Sequence, residues 1–319
     1  MTNKVDLFFD LFDEAAMLLV TGQGIDYLEA INRTAQMFCN NEADAKADPE
    51  TQKLLEEILE VAAAEDFLKE EIRLALELLL IKGFKAENQR LDLMTPDTVN
   101  YLISRVVNRK FSDIGNKQFT ILDTALGTGN QLQAIANNLS DETTLVGIEK
   151  EDLLVKLAAS SAELQNNEIR IYFQDALVPV YDLADLVIGD LDSYQYSDVP
   201  AVTHPLYDQG VRYFPYLVIA SRLVNLKDNG YFIYVIENDF FSQAKVDVFR
   251  SYLKAQATLM GLMVLPPSMF KSGAVGKSIL IGKKASLRSW NMTVLQLTSL
   301  SQDQIPGLFQ KIDKFTDNL

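Results

Sequence analysis

Residues 119–139 read FTILDTALGTGNQLQAIANNL, and this stretch indicates how the larger part of the chain folds. FTILD has the length and apolar character of a buried strand, Gly127 and Gly129 mark a tight turn, and QLQAIANNL has helical spacing. A strand, a glycine turn and a helix in this order expose backbone N–H groups and a helix N-terminus to a ligand. A plain turn is the simpler interpretation of two glycines taken alone.

An acidic residue, Glu149, ends the next apolar run, TTLVGIE at 143–149. A carboxylate there can accept hydrogen bonds from both hydroxyls of a ribose, so the pattern favours a nucleoside ligand over a plain turn. A nicotinamide dinucleotide would require a small residue where the chain has Leu132. Asp123, just before the turn, suits an amino-bearing ligand better than a pyrophosphate, because two anions repel each other.

Further short apolar runs follow along the chain. They are IRIYF (169–173), ADLVIGD (184–190), GYFIYVIE (230–237) and KSILIG (277–282). Helix-like stretches are predicted between the first five runs, counting those that begin at 119 and 143. Near-continuous apolar runs that alternate with helices indicate a parallel sheet buried on both faces, and so an α/β domain.

Residues 1–94 have a different pattern, in which apolar side chains recur at steps of three and four. Leu7, Phe8, Leu11 and Phe12 share one helix face in this way. Asp48-Pro49 predicts the start of a later helix, and Gly83 predicts the end of another. We therefore expect an all-helical region before the α/β domain.

The chain is acidic, with 29 Lys and Arg against 44 Asp and Glu and a formal net charge of −15. Most of the excess lies in residues 1–94, whose 9 basic and 20 acidic side chains give a net charge of −11. A phosphate backbone is a poor partner for that region, and a protein partner or a second copy of the chain suits it better. Residues 240–290 differ, with a net charge of +7 that could face a polyanion or be a solvated surface.

Several classes of site are excluded by the composition. One cysteine, Cys39, allows neither an intramolecular disulfide nor a cysteine-based zinc site. One histidine, His204, removes most histidine metal sites, and we predict no metal. Gly276-Lys277-Ser278 is not a phosphate loop, because the earlier glycine is replaced by Lys271 and a strand follows. The sequence shows no secretory signal and no membrane-spanning run, which predicts a cytoplasmic protein without membrane contact.

A resemblance to one family becomes specific at this point. Residues 123–130, DTALGTGN, resemble the first motif of the bacterial adenine-type, S-adenosylmethionine-dependent amino methyltransferases, in a branch with alanine at Ala125. Thr95-Pro96, before the helix-like VNYLISRVVNR, is similar to the Thr-Pro element of that family, and residues 265–284 resemble its closing β-hairpin. The resemblance covers about residues 88–285 and implies a class I methyltransferase fold, which is a Rossmann-like, seven-stranded, mostly parallel sheet with a C-terminal β-hairpin.

The resemblance also implies where S-adenosylmethionine would bind. The methionine moiety would be contacted by the Thr-Pro element and the first motif, through Thr95, Pro96, Asp123, Ala125, Gly127 and Gly129. Glu149 would hold the ribose hydroxyls, and Asp175, in YFQDAL, would meet the adenine amino group. Taken alone, Asp175 is equally well interpreted as a turn or helix-cap aspartate.

The acceptor motif of the family has Asn or Asp, two prolines and an aromatic residue. After the run ADLVIG this chain has Asp190-Leu191-Asp192-Ser193-Tyr194-Gln195-Tyr196. Asp190 matches the first position, and Tyr194 or Tyr196 would stack on a flipped base, but both prolines are missing. A divergent branch with Asp-Leu-Pro differs here only at Asp192. Alternatively, the three acids Asp185, Asp190 and Asp192 could form a solvated loop.

We therefore expect an acidic helical domain at residues 1–94 and a methyltransferase domain at residues 95–319. The expected activity is transfer of a methyl group from S-adenosylmethionine to an amino nitrogen, most simply that of adenine in DNA or RNA, with Asp190 and Tyr194 as catalytic residues. The helical domain is expected to meet a protein partner or to form a homodimer. The alternative is a degenerate methyltransferase fold that acts as a binding or interaction module.

Overall fold

The computed structural model describes residues 3–91, 94–111, 118–139, 143–197, 204–271, 273–285, 291–298 and 305–319. It divides into two compact units. The first comprises Met1–Asn100, Leu126–Asn137 and Glu151–Ile171, and the second comprises Tyr101–Ala125, Asn138–Lys150 and Tyr172–Leu319. The first unit thus continues past residue 94 to Asn100 and includes two further segments, and the domain boundary at residue 94 stays a prediction.

The first unit is helical. Its complete helices are α1 (Lys4–Gln23), α2 (Tyr27–Asn40), α3 (Pro49–Ala63), α4 (Lys69–Ala86), α6 (Asn130–Asn137) and α7 (Asp152–Leu164), and it also holds the start of α5 (Asp97–Phe111). The apolar faces of α1–α4 meet in one core with Leu154 and Leu157 of α7. At its centre the ring of Phe8 packs against those of Phe12 and Phe67.

Two local predictions for these helices have different outcomes. Asp48 caps α3 as expected, because its Oδ1 accepts hydrogen bonds from the N–H groups of Glu50 and Thr51. Gly83 does not end a helix, since α4 continues to Ala86. A Cβ at residue 83 would lie 2.5 Å from Cδ2 of Leu28, so this glycine allows α2 and α4 to approach each other closely.

The sheet has eight strands rather than the seven expected, in the order β3-β2-β1-β4-β5-β7-β6-β8. The strands are β1 (Phe119–Asp123), β2 (Thr143–Glu149), β3 (Ile169–Phe173), β4 (Ala184–Asp190), β5 (Leu226–Glu237), β6 (Thr258–Val264), β7 (Lys277–Lys283) and β8 (Thr293–Gln296). β7 runs antiparallel to both β5 and β6, so the hairpin is formed by β6 and β7 within the sheet, and the predicted residues 265–284 hold only its connection and its second strand. The eighth strand, β8, pairs parallel with β6 and covers what would otherwise be an open edge.

The second unit contains most of the sheet and the remaining helices, α8 (Pro205–Asp208), α9 (Phe214–Arg222), α10 (Val246–Lys254) and α11 (Ile305–Asp317). No helix lies between β3 and β4, contrary to the prediction, because residues 174–183 cross there as a short irregular connection. The end of α11 is joined to α5, where Arg109 pairs with Asp317 at 2.8 Å. Among the helices described, none combines the length and apolar character needed to cross a membrane.

Candidate functional site

Asp123, the last residue of β1, is buried with 1% of its surface exposed. Its Oδ1 accepts a hydrogen bond of 3.0 Å from the N–H of Ala125. Its Oδ2 is also buried and has no hydrogen-bond partner in the described part of the chain. Burial, reinforced by the charges of Glu149 and Asp190, raises the pKa of Asp123 to about 7. The buried oxygen is therefore suited to a cationic or hydrogen-donating ligand group.

The glycine turn has the backbone conformation that its sequence predicts. Gly127 and Gly129 have φ angles of 56° and 77°, in the left-handed region that favours glycine. The N–H of Gly129 donates to the carbonyl of Leu126 at 2.8 Å, and α6 begins at the next residue. A Cβ at Gly129 would lie 3.1 Å from Nε2 of Gln133, so the turn is also closely packed.

Thr95 and Pro96 precede α5, as predicted, and the structure shows what their backbone does. The carbonyl oxygen of Thr95 accepts hydrogen bonds from the side-chain amides of Asn100 at 3.1 Å and Asn130 at 3.3 Å. The carbonyl oxygen of Pro96 accepts from the N–H groups of Val99 and Asn100. The Thr-Pro element is therefore hydrogen-bonded to α6 through the first residue of that helix, the buried Asn130.

Asn130 also contacts a buried charged cluster on α4, which the sequence analysis missed. Arg73 is 2% exposed and donates to Oδ1 of Asn130 at 2.7 Å. Its guanidinium also pairs with Glu70 at 2.6 Å and with Asp97 at 2.5 Å. Burial lowers the pKa of Arg73, but the hydrogen bonds and charges of these two acids outweigh burial and raise it overall. The sequence could have identified Arg73 as a charged residue on the apolar face of a predicted helix.

Glu149 is the last residue of β2 and Asp175 follows β3, both as predicted, and their contacts differ. Oε1 of Glu149 accepts from the N–H of Lys150 at 2.7 Å, and its carbonyl oxygen accepts from the N–H of Gln174 at 2.9 Å. Oδ1 of Asp175 accepts from the N–H of Leu177 at 2.8 Å, which is the geometry of an aspartate turn. The turn interpretation of Asp175 therefore describes its protein contacts, and a role toward adenine stays a prediction.

Asp190 ends β4, next to a glycine that the packing requires. A Cβ at Gly189 would lie 2.7 Å from Oγ1 of Thr124. Oδ1 of Asp190 accepts a hydrogen bond of 2.7 Å from Nζ of Lys277, the first residue of β7. Sequence analysis gave Lys277 no role, because the pairing depends on the register of three strands.

The two other acids of the predicted acceptor region have different positions. Asp192 is exposed. Asp185 is not part of a solvated loop, because its Oδ2 accepts from the N–H of Thr120 at 2.9 Å and from Nζ of Lys227 at 2.7 Å. The interpretation of all three acids as one solvated loop is therefore wrong.

Tyr194 lies four residues beyond Asp190 with 37% of its surface exposed. Its ring is stacked on that of Phe214, with centroids 4.5 Å apart and an interplanar angle of 19°. The N–H of Phe214 donates to the carbonyl of Tyr194 at 2.9 Å, which fixes the backbone as well. Tyr196 is buried at 6% exposure, so Tyr194 is the better placed of the two to contact a ligand.

His204 has a structural role at the start of α8. Nδ1 of His204 accepts from the N–H of Leu206 at 3.2 Å and caps the short helix α8, and burial lowers its pKa. Within the described ranges, no group of three or more His, Cys, Asp or Glu side chains could hold a metal ion.

The chain is similar to known proteins over both of its regions. Residues 6–84 match the model of the YtxK N-terminal helical domain. YtxK of Bacillus subtilis (strain 168) is 34% identical over 273 residues, which are 84% of this chain and 82% of that protein.

Two solved structures show the fold. A Listeria monocytogenes protein described as a class I S-adenosylmethionine-dependent methyltransferase is 26% identical, with a TM-score of 0.83 over 98% of this chain and 99% of that one. The methyltransferase subunit of a type I restriction-modification system from Streptococcus thermophilus is 16% identical, with a TM-score of 0.62 over 97% of this chain and 74% of that one. The class I methyltransferase fold is therefore established, with a helical amino-terminal region before the mixed sheet.

Proposed function

The chain belongs to the family of YtxK from Bacillus subtilis, and from this premise we propose that it is an S-adenosylmethionine-dependent methyltransferase. Its acceptor is an amino nitrogen, that of adenine in DNA or RNA. The observation that carries the proposal is the buried Asp123, with one oxygen held by Ala125 and the other without a partner among the described residues. The likeness of the whole chain to the Listeria protein supports the choice of cofactor.

The residues at the end of β1 and β2 fit S-adenosylmethionine chemically. Oδ2 of Asp123 would accept a hydrogen bond from the ammonium group of the methionine moiety, and ionisation of Asp123 would then be favoured. Gly127 and Gly129 would let the backbone approach the same moiety, and Glu149 would accept hydrogen bonds from the ribose hydroxyls. Thr95, Pro96, Ala125 and Asp175 are assigned to the cofactor by family resemblance.

The acceptor side of the reaction requires positioning rather than a strong base. S-adenosylmethionine would supply a methyl group on a sulfonium. The nitrogen lone pair would attack the methyl carbon in line, the carbon–sulfur bond would break with release of S-adenosylhomocysteine, and the nitrogen would then lose a proton to solvent. Asp190 would accept a hydrogen bond from the acceptor amino group and so direct the lone pair, and Tyr194 would stack on the base. The carboxylate also stabilises the positive charge that develops on the nitrogen.

Nucleic acid is the acceptor that the charges and the fold favour. The Streptococcus protein of similar fold is a restriction-modification methyltransferase subunit, and residues 240–290 of this chain carry a net charge of +7. The acidic residues 1–94 would face a protein partner or a second copy of the chain, because like charges exclude a phosphate backbone.

Isothermal titration calorimetry with S-adenosylmethionine and S-adenosylhomocysteine tests the cofactor. We expect both to bind, and Glu149→Gln to weaken binding by about tenfold or more, since a charged hydrogen-bond acceptor to the ribose is lost. Glu151→Gln, two residues further along, is the matched control and should bind as the wild type does. Absence of binding to the wild-type chain would overturn the proposal.

A labelled-methyl assay tests the acceptor. Wild-type protein is incubated with tritiated S-adenosylmethionine and separate pools of DNA, RNA and protein, and the labelled product is hydrolysed to identify the modified atom. We expect label on adenine N6, lost in Asp190→Ala and retained in Asp192→Asn, whose side chain is exposed.

A second function, that of a binding module, is favoured by the missing prolines of the acceptor motif. It predicts cofactor binding without transfer to any pool. Label on any acceptor that depends on Asp190 would eliminate it.

A further inference from the structure

Gly276 and Ser278, the residues on either side of Lys277, are both hydrogen-bonded to Asn238. The N–H of Asn238 donates to the carbonyl of Gly276 at 2.8 Å, and Oγ of Ser278 donates to Oδ1 of Asn238 at 2.5 Å. A Cβ at Gly276 would lie 2.6 Å from Nδ2 of Asn238, so a larger residue there would have to displace the Asn238 side chain. The residue after β5 thus fixes the backbone that carries Lys277.

The side chain of Lys277 reaches across a whole strand to Asp190. β4 and β7 lie on opposite sides of β5, so their backbones are about 9–10 Å apart. Asp190 pairs with Val235 and Lys277 pairs with Glu237, two residues further along β5 and therefore on the same face of the sheet. The ion pair is largely buried, with side-chain exposures of 24% for Lys277 and 12% for Asp190.

We propose that Lys277 is a positioning residue of the acceptor site. Its ammonium group donates to Oδ1 of Asp190 and so fixes the orientation in which that carboxylate meets the acceptor amino group. This inference rests on the proposed methyltransferase function.

The ion pair makes a specific prediction about amide substitution. In Asp190→Asn, Lys277 would still bind the oxygen at residue 190, and the remaining NH₂ group would face the acceptor with a donor where an acceptor is needed. Removal of the lysine as well would free the amide oxygen to rotate toward the acceptor. The double variant should therefore be more active than either single variant.

The experiment compares wild type with Lys277→Met, Lys277→Arg, Asp190→Asn and the double variant Asp190→Asn/Lys277→Met. The initial rate of transfer is measured on the wild type's best acceptor pool, with calorimetry for S-adenosylmethionine. We expect kcat to fall by about tenfold to a hundredfold in each →Met and →Asn single variant, with the cofactor Kd nearly unchanged. We expect Lys277→Arg to retain more activity than Lys277→Met, and the double variant to regain activity over both singles. Lys227→Met, which breaks the Lys227–Asp185 ion pair of the same sheet at 2.7 Å, is the control.

The outcomes separate the inference from the function on which it rests. A wild-type chain with no transfer to any pool overturns the proposed function and, with it, this role of Lys277. An active wild type with equally active Lys277→Met, or a double variant that is no better than Asp190→Asn, overturns the inference alone. If Lys277→Met does not fold, Lys277→Arg and the double variant, which lacks an unpaired charge, still give the comparison.

Discussion

Nη1 of the buried Arg73 lies 2.7 Å from Oδ1 of Asn130, the residue with which α6 begins directly after the glycine turn. Asn130 in turn donates to the carbonyl of Thr95 and to Oε2 of Glu77. The helical region therefore supplies a charged anchor for two elements that family resemblance assigns to the cofactor. This explains why an apolar helix face holds an arginine.

Replacement of Arg73 by methionine should strongly destabilise the protein. Loss of the guanidinium leaves Glu70, Glu77 and Asp97 without their shared cation, and removal of one partner of a buried ion pair typically costs about 3–5 kcal/mol. Urea unfolding measures the difference. The control is Lys53→Met, which breaks a pair whose side chains are 77% and 60% exposed and should change the free energy of unfolding little.

Gly189→Ala tests the close contact at the end of β4. The new Cβ would lie 2.7 Å from Oγ1 of Thr124, a hydroxyl that already donates to the carbonyl of Ile188 at 3.0 Å. Overpacking of this kind costs about 1–3 kcal/mol, and we expect thermal unfolding to occur at a lower temperature.

Two further variants check that interpretation. Thr124→Ala combined with Gly189→Ala should be less destabilised than the sum of the two changes, because the clash is removed. Gly307→Ala, in α11 with nothing within 4 Å of its Cβ, should be neutral or stabilising. Equal effects of Gly189→Ala and Gly307→Ala would contradict the packing argument.

The fold could be predicted from the sequence where apolar runs were long and unbroken. The strands β1–β5 and β7 were all recognisable in this way. β6, with the sequence TLMGLMV, was missed because Gly261 interrupts the pattern. The structure explains this glycine, since a Cβ there would lie 2.6 Å from both Phe315 and Leu319 at the carboxyl end of the chain. β8 has only four residues and is defined by its partner β6 rather than by its own sequence.

The candidate site could be predicted only as far as motifs lie within a continuous segment. Asp123 and the glycine turn belong to one such segment, so their order was informative. Lys277 was considered only as part of a false phosphate loop, because its pairing with Asp190 requires the register of β4, β5 and β7. The position of Arg73 could be seen, but its partners, 24 and 57 residues away in sequence, could not.

Tyr194 is predicted to contribute to acceptor binding and not to cofactor binding. Its ring is held by stacking on Phe214, and an aromatic platform contributes about 1–3 kcal/mol for each stacked base. Tyr194→Ala should therefore raise the KM for a nucleic-acid acceptor by about tenfold, while Tyr194→Phe keeps the ring and the wild-type KM. Steady-state kinetics with the acceptor varied would show the difference. An unchanged KM in Tyr194→Ala would exclude the stacking role.

The raised pKa of Asp123, about 7, predicts how stability and cofactor binding depend on pH. Between the ordinary aspartate pKa of about 4 and a pH of about 7, the folded protein without ligand retains a proton that the unfolded chain releases. The stabilisation from this group is therefore complete below about pH 4 and is lost as the pH rises toward 7. A cationic ligand group favours the ionised carboxylate, so its affinity should increase as the pH rises.

Binding of S-adenosylmethionine should accordingly strengthen as the pH rises from about 6 to about 7.5, by roughly five- to tenfold, with release of a proton at the lower pH. The upper limit is set by the ligand, since an α-amino group loses its own proton near a pH of about 7.7–8.0. Calorimetry in buffers of different ionisation enthalpy measures both the affinity and the proton release. Asp123→Asn should bind more weakly and without this pH dependence. 5′-Methylthioadenosine lacks the α-amino group of the methionine moiety, so it should bind the wild type equally well across this pH range. A flat pH profile for S-adenosylmethionine itself would show that Asp123 does not meet the ammonium group.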